Sequence, residues 1–570
     1  MKTPSAFRPW VAAMLSVAAC ACAGSPAPAP LRPEPIVWVD TLPIEEPPAR
    51  ETREIGSLFQ ASVGGEMFRP ARFRYAGDNK KEATNITRFD DVVDSSWFQH
   101  RNAVRRMTPE EIRTGAATSS GPDTSRALTI IAGKAEGISP GFTVRDANGE
   151  RYIIKFDPKG NLRLASSADV ISSRLFYAAG YNTPEDFIVV FDSTRLEVGD
   201  GAEVSIEGKD VPLTMERVHE LLADTDPLPD GRYLAVASKF VPGTPKGPFR
   251  FQGRWSEDPN DYYYHDYRRE LRGLLAVTAW LNHVDMRFAN TMDVWIEDPG
   301  YIRHYLIDFA ATLGSGTIRA HTPREGMEYN FDFWAVTARF LTLGFYTQGW
   351  ENETAVVIYP SIGWMRAEEF SPGTWKPNWP NKAFTKATLR DMYWGAKLVG
   401  SFTDEQIVAA VSAADLPAAA ADTLARMIQV RRDNTVRYWY AQVTPIEDLE
   451  VENLDGGRLS VGFDDLGIGA GVWDPASITY AWTFRHRALG IEAEGTTAAS
   501  AGIRQRIAFE PLDTGTGAGR ALDTKEAVAT LEIRAIDSEV SPRSPRNRAA
   551  TLYLTLQPGG TGYTLSGLDH

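Results

Sequence analysis

The pattern of apolar and polar positions changes period several times along the chain. Residues 1–24 carry Lys2 and Arg8, then an apolar run from Trp10 to Ala19, then small residues. That order is the order of a secretory signal, and the run is too short to span a bilayer. Prolines recur from Ser25 to Arg50 and predict an extended tether over 25–55, with an N-terminal extension over 56–124. Between Thr129 and Phe156 short apolar runs predict a β-meander. Its last two strands, Phe142 to Arg145 and Arg151 to Phe156, are joined by the turn Asp146-Ala147-Asn148-Gly149.

A helix is predicted from Ser167 to Ala179, with Gly180 as its C-terminal cap. Strands are predicted at Phe187 to Phe191 and at Leu234 to Val241. Leu271, Leu274, Leu275, Thr278 and Leu281 then fall at helical spacing and lead into Asn282-His283. Thr291 to Ile296 and Tyr301 to Ile307 read as a hairpin closed by Asp298-Pro299-Gly300, and the stretch from Phe331 to about Gln442 reads as mostly helix. Within it, Thr403-Asp404-Glu405-Gln406 has the form of a capping box. After Asn453 glycine-rich turns separate alternating runs such as Ala529 to Ile533 and Thr551 to Leu556. These predict a small antiparallel β domain over 454–570.

Composition narrows the chemistry. The only two cysteines are Cys20 and Cys22, so the rest of the chain has no disulfide, thiolate metal site or cysteine nucleophile. Val17-Ala18-Ala19-Cys20 resembles a bacterial lipobox, which implies acylation of Cys20 and attachment to a membrane through lipid. An ordinary cleaved signal followed by release is the other reading of the same segment, and either way the chain is exported. A net charge of -14 argues against a nucleic-acid partner, because phosphate binding needs a basic surface.

One segment carries the chemistry: His283-Val284-Asp285-Met286-Arg287-Phe288-Ala289-Asn290, followed by Leu306-Ile307-Asp308-Phe309-Ala310. It resembles the H-x-D-x-x-x-x-N loop and the D-F-G metal site of protein kinases and aminoglycoside phosphotransferases. The resemblance covers roughly residues 125–445 and implies an α+β fold with a β-rich N-lobe and a helical C-lobe, the 454–570 β domain following. It also implies Mg2+ and ATP as cofactors and a hydroxyl acceptor. Asp285 is then the base and Asn290 and Asp308 are the metal ligands, with His283 placed among the catalytic residues as a brace of the loop. Lys155, ending the strand Tyr152 to Phe156, would meet the nucleotide phosphates and pair with Asp169, which stands where a longer Glu is usual. Gly133, Gly137 and Gly141 would lie over the phosphates, and Ala237 to Val241 would form the hinge.

Departures from the family pattern are specific. The glycine spacing is not G-x-G-x-x-G, Val284 replaces the loop Arg, Ala310 replaces the last Gly of D-F-G, and no A-P-E segment follows. The pattern is therefore nearer to atypical and small-molecule kinases. Export adds a tension, since ATP is not expected to be abundant outside the cytoplasm.

Three readings remain: a phosphotransferase or related nucleotidyl transferase, a catalytically inactive kinase-fold binding or scaffolding lipoprotein, and a structural envelope lipoprotein. In the second the β domain contacts a protein or glycan partner. A hydrolase site from His304, Asp308 and His321 matches no zinc spacing. The aromatics Trp350, Trp364, Trp375, Trp379 and Trp394 read as packing before they read as a sugar surface.

Overall fold

The computed structural model describes residues 39–50, 81–133, 140–206, 209–510, 522–537 and 548–570. Cys20, Cys22 and Gly137 lie outside these residues. Within them the chain is α+β: a β-rich lobe, a helical lobe and a C-terminal antiparallel β domain.

A short helix, α1 (Pro109–Thr114), precedes the first lobe. The lobe is built on β1 (Leu128–Gly133), β2 (Gly141–Arg145) and β3 (Arg151–Phe156). The β2–β3 turn forms as its sequence dictates. Asp146 Oδ1 accepts from Asn148 N at 2.9 Å and from Glu150 N at 3.0 Å, while Gly149 takes φ 86°.

Helix α2 (Leu164–Ala179) follows, three residues longer at its start than the sequence pattern indicates. The buried Asp157 carboxylate sets that start. It accepts from the N–H groups of Arg163, Ala165 and Ser166, donors that a helix's first turn leaves unpaired. Gly180 ends the helix at φ 121°, where a Cβ would lie 2.2 Å from the Phe98 ring.

The sheet is completed by β4 (Asp186–Phe191), β5 (Leu196–Ile206), β6 (Lys209–Pro212), helix α3 (Met215–Ala223) and β7 (Tyr233–Lys239). Its order is β4-β7-β3-β2-β1-β5-β6. All pairs are antiparallel except β1 with β5.

The second lobe begins with β8 (Thr244–Gly247) and helix α4 (Arg269–Trp280), buried on every side. The predicted hairpin is β9 (Thr291–Ile296) with β10 (Tyr301–Leu306), in full register. Helices α5 (Phe333–Leu341), α6 (Lys382–Lys386), α7 (Leu389–Gly400), α8 (Asp404–Ser412) and α9 (Ala418–Tyr440) follow. The capping box at Thr403 is present: Gln406 N donates to Thr403 Oγ1, and Thr403 N donates to Gln406 Oε1 at 3.0 Å. The stretch read as mostly helix from Phe331 to about Gln442 is interrupted over 342–381, where the chain forms no α-helix. Glycine and proline recur there, and both interrupt helices.

The β domain starts eight residues before its sequence boundary, with β11 (Ile446–Leu454). Its sheets run β11-β12-β15 and β14-β13-β16-β17-β18, using β12 (Arg458–Asp465), β13 (Ile478–His486), β14 (Ile491–Ala498), β15 (Arg504–Phe509), β16 (Val528–Asp537), β17 (Ala550–Leu556) and β18 (Tyr563–Asp569). Alternate residues such as Phe463, Phe484, Leu531 and Leu552 meet in one apolar core.

Residues outside the two predicted folded regions are also part of the body. Trp97, Phe98, Met107 and Ile112, from the predicted N-terminal extension, are buried in the core of the helical lobe. The part of the predicted tether that is described, residues 39–50, is docked. Asp40 accepts from Ser96 N and Ser96 Oγ, Ile44 N donates to Gly300 O, and Arg50 pairs with Asp293 at 2.5 Å.

Asp90 ties three regions together. Fully buried, it pairs with Arg269 at 2.9 Å and Arg390 at 2.6 Å, and lies 3.1 Å from His570 Nδ1. Arg390 also reaches Asp569 at 2.7 Å. Burial opposes ionisation of Asp90, but Arg269 and Arg390 hold its carboxyl well below the usual range. Asp90→Asn leaves two buried guanidinium groups undercompensated, and the expected cost is about 3–5 kcal/mol in urea unfolding. A loss below about 1 kcal/mol would show that the network contributes no net stability.

Candidate functional site

Strand β3 carries Lys155 on the face turned toward α2, because its neighbours Ile154 and Phe156 point into the sheet's apolar core. Lys155 Nζ lies 3.2 Å from Asp169 Oδ2 and 3.0 Å from Asp308 Oδ1. Burial alone would lower the lysine's pKa; the two carboxylates reverse this and hold it above its ordinary value. Asp169 uses its other oxygen on the backbone, accepting from Phe309 N at 2.9 Å. The short aspartate thus reaches both the lysine and the peptide after Asp308. Asp308 meets it from a left-handed backbone, φ 60°, which a non-glycine residue holds only under constraint. Its side chain is 45% exposed.

The loop between α4 and β9 presents Asp285 and Asn290. Asn290 Nδ2 donates to Asp285 O at 2.8 Å and to Asp285 Oδ2 at 3.0 Å, and Arg287 Nε lies 3.1 Å from Asp285 Oδ1. Burial raises the Asp285 pKa above the usual range, opposed by Arg287 and Asn290 and assisted by the Asp308 charge. Ile307 N donates to Asn290 O at 3.0 Å, so the two ends of the β9–β10 hairpin bring Asn290 and Asp308 together.

His283 is fully buried and makes ring contacts with Phe309 at 5.8 Å and Phe176 at 5.9 Å. Phe309 and Phe176 stack at 5.0 Å. Burial pushes the His283 pKa down to about 4, so the imidazole is neutral and acts here as packing.

The glycines are placed less simply. Gly133 ends β1 and Gly141 begins β2. A Cβ on Gly141 would lie 2.2 Å from Ile154 O, and one on Gly133 would lie 2.5 Å from Val204 Cγ2. Both are required by close approach within the sheet. The backbone of Ala237 to Lys239 is paired with β3 or β4, and Phe240 N donates to Arg151 O. Val241 is the first residue of the predicted hinge beyond these pairings.

Several supporting residues are not evident from motif spacing. Asn282, at φ 52°, accepts from Trp375 Nε1 at 2.8 Å and sits 3.0 Å from His321 Nδ1, which braces the start of the loop that carries Asp285. Arg431 caps the end of α4 through the carbonyls of Trp280 and Ala279 and lies over the Phe370 ring. Burial among such partners brings its pKa down to about 9. An asparagine directly before the loop histidine was the one usable signal, because Asn tolerates the left-handed region. His304 lies against Asp293 and stacks on Trp97, so the His304, Asp308, His321 grouping does not form.

Asp186 is the residue that pattern reasoning missed most clearly. On β4 it is opposite Ser238 of β7, on the face of the sheet that carries Lys155, since Val236 pairs with Lys155. Burial and the nearby Asp169 charge raise its pKa to about 7, against the lowering effects of Ser238, Lys155 and Arg174.

Asn290 donates through Nδ2 and so keeps Oδ1 as a ligand atom, and Asp308 supplies a carboxylate; hard oxygen donors suit magnesium. Among the described residues no group of three or more His, Cys, Asp or Glu side chains is arranged to hold a metal alone. Two protein ligands fit an ion that takes its remaining ligands from phosphates and water.

A β-lobe lysine held by a helix carboxylate, an Asp/Asn loop after a buried helix, and a hairpin ending in a second Asp are brought together as the resemblance to kinases implies. No protein-family model matches the chain, and no curated protein sequence does. Among solved structures it is similar to the Helicobacter pylori proinflammatory kinase CtkA, over 56% of this chain and 97% of that one, at 10% identity and a TM-score of 0.31.

A pH prediction follows from Asp186. Its carboxyl titrates near 3.9 when unfolded and at about 7 in the fold. The folded state therefore binds the extra proton, and the group's stabilisation, present at acidic pH, is lost as pH rises through about 7. Asp186→Asn should flatten the fall in melting temperature between about pH 4 and pH 7. An unchanged slope in the variant would place the titration elsewhere.

Proposed function

We propose that this chain is a magnesium- and ATP-dependent phosphotransferase acting on a hydroxyl acceptor. The observation that carries the reading is the meeting of Lys155, Asp169 and Asp308 beside the Asp285–Asn290 pair. Lys155 would hold the nucleotide phosphates. Asn290 and Asp308 would hold the magnesium ion, which when bound neutralises charge developing on the transferred phosphoryl group. Asp285 orients the acceptor hydroxyl and takes its proton, and its raised pKa suits a base that must accept one. We further propose that the chain is exported and held at a membrane through acylated Cys20.

One observation favours a second reading, a kinase-fold binding module. Gly133 and Gly141 are explained by sheet packing and lend no support to a phosphate-covering loop. Thermal shift of the full chain with magnesium and ATP separates the two readings. A phosphotransferase melts higher with both ligands, by an amount set by ATP over its Kd, about 2.7 kcal/mol at a hundredfold excess. Asp308→Asn should lose the shift. Asp285→Asn should keep it while transfer to any accepted hydroxyl falls about 10²–10⁴-fold. A shift in the wild type that survives Asp308→Asn would remove this site from the reading, and no shift at all would favour the binding module.

A further inference from the structure

An exposed apolar stretch lies beyond the segment that is tied to the loop carrying Asp285. Asn378 N donates to Val284 O at 2.7 Å and Asn330 N donates to Asn378 O at 2.8 Å, so the segment entering α5 is tied to the loop that carries Asp285. Asp332 caps α5 and is held by Lys376 at 2.7 Å. From that fixed start the helix and the turn after it expose Phe340 (78%), Leu341 (74%), Leu343 (88%) and Phe345 (88%). From Phe333 to Trp350 the chain has a single charged residue, Arg339, in a protein with 24% charged residues. Arg339 is neutralised by Glu328 at 3.2 Å and Glu351 at 2.6 Å. Trp334 and Tyr346 are partly exposed along the same stretch.

We infer that the α5 tip is a membrane-contact element that inserts its apolar side chains into the interface of a lipid bilayer. Exposure this high means a convex projection. A bilayer receives a convex apolar tip without a matching shape, whereas a second copy of the chain would need a complementary hollow. The charge pattern points the same way. With its one cation internally paired, the tip would bind through apolar contact and not by attraction to anionic headgroups. No helix among the described residues is long and apolar enough to cross a membrane, so the contact is interfacial. The twenty residues from Cys20 to Asp40 reach at most about 70 Å. An anchor at Cys20 therefore keeps the body within range of the same bilayer, and a single acyl chain is a weak anchor that gains from a second contact.

The test uses the full chain with Cys20→Ser and Cys22→Ser, so that one engineered thiol takes an environment-sensitive dye. Leu343→Cys reports the tip and Val104→Cys, at a residue 73% exposed in another part of the fold, is the control. On phosphatidylcholine vesicles, dye at 343 should shift to the blue and be quenched by brominated lipid, while dye at 104 should do neither. The shift should persist at high salt and be lost with Phe340→Glu and Phe345→Glu. Unchanged emission at 343 would overturn the inference. So would a blue shift that grows with protein concentration in the absence of vesicles, which would assign the tip to a second copy. Magnesium–ATP melting should be unaffected by these tip substitutions, so failure here is distinguishable from failure of the phosphotransferase reading.

Discussion

A buried ammonium is the constraint on which the site depends. The Lys155 side chain is only 12% exposed, where an unpaired cation would be costly, and the fold must bring carboxylates to it. It brings them from two elements distant in sequence, Asp169 on α2 and Asp308 beyond the β9–β10 hairpin. Pairing with both fixes where α2 sits against the sheet and where the segment after Ile307 must run. The Phe176–Phe309 stack and the hydrogen bond between Ser172 and Thr312 at 2.7 Å, on the same two elements, reinforce the position. Neutralising the lysine thus assembles the surroundings of Asp285 at the same time.

The helical lobe uses charge in its interior repeatedly. Arg269, Arg272, Arg390 and Arg431 are all essentially buried. The first three meet Asp90 and Asp391, and Arg390 adds Asp569 from the last strand of the β domain. Lys397 and Tyr393 of α7 meet Glu447 at 2.6 and 3.0 Å, a second link between that lobe and β11. In a chain whose described part has no cysteine, these pairs act as cross-links between segments 50 to 300 residues apart in sequence. They favour one register over others because a slipped arrangement leaves buried charge without a partner.

How much of this was legible follows from what kind of signal each feature leaves. The hairpins were readable because Asp146-Ala147-Asn148-Gly149 and Asp298-Pro299-Gly300 punctuate alternating runs, and the loop from His283 to Asn290 was readable because its spacing is local. For residues 39–50 of the tether, proline content marks extended chain equally well whether it is solvated or docked. Arg50 and Asp40 show it docked, through contacts no pattern within the segment reveals. The break in the helical stretch over 342–381 falls where glycine and proline recur, which helical spacing on either side does not reveal. Asp186 left no signal at all. A lone aspartate before an apolar strand reads as a turn residue, and only the pairing of β4 with β7 places it on the face that carries Lys155.

The glycines alter the balance of argument about the nucleotide. The positions of Gly133 and Gly141 in the sequence suggest a phosphate-covering loop, yet both are demanded by backbone and side-chain approaches of 2.2 to 2.5 Å within the sheet. A residue already explained by packing cannot be counted a second time for ligand binding. Asp308 is different in kind. Sheet packing does not ask for an aspartate at φ 60° with its side chain nearly half exposed, and a left-handed non-glycine residue costs roughly 1–3 kcal/mol unless its surroundings hold it. Its surroundings do hold it, through Lys155 and through the hydrogen bond from the Phe309 peptide to Asp169. The strain and the exposure meet at the side chain that the phosphotransferase reading assigns to the metal, which makes Asp308, and not the glycines, the stronger ground for that reading.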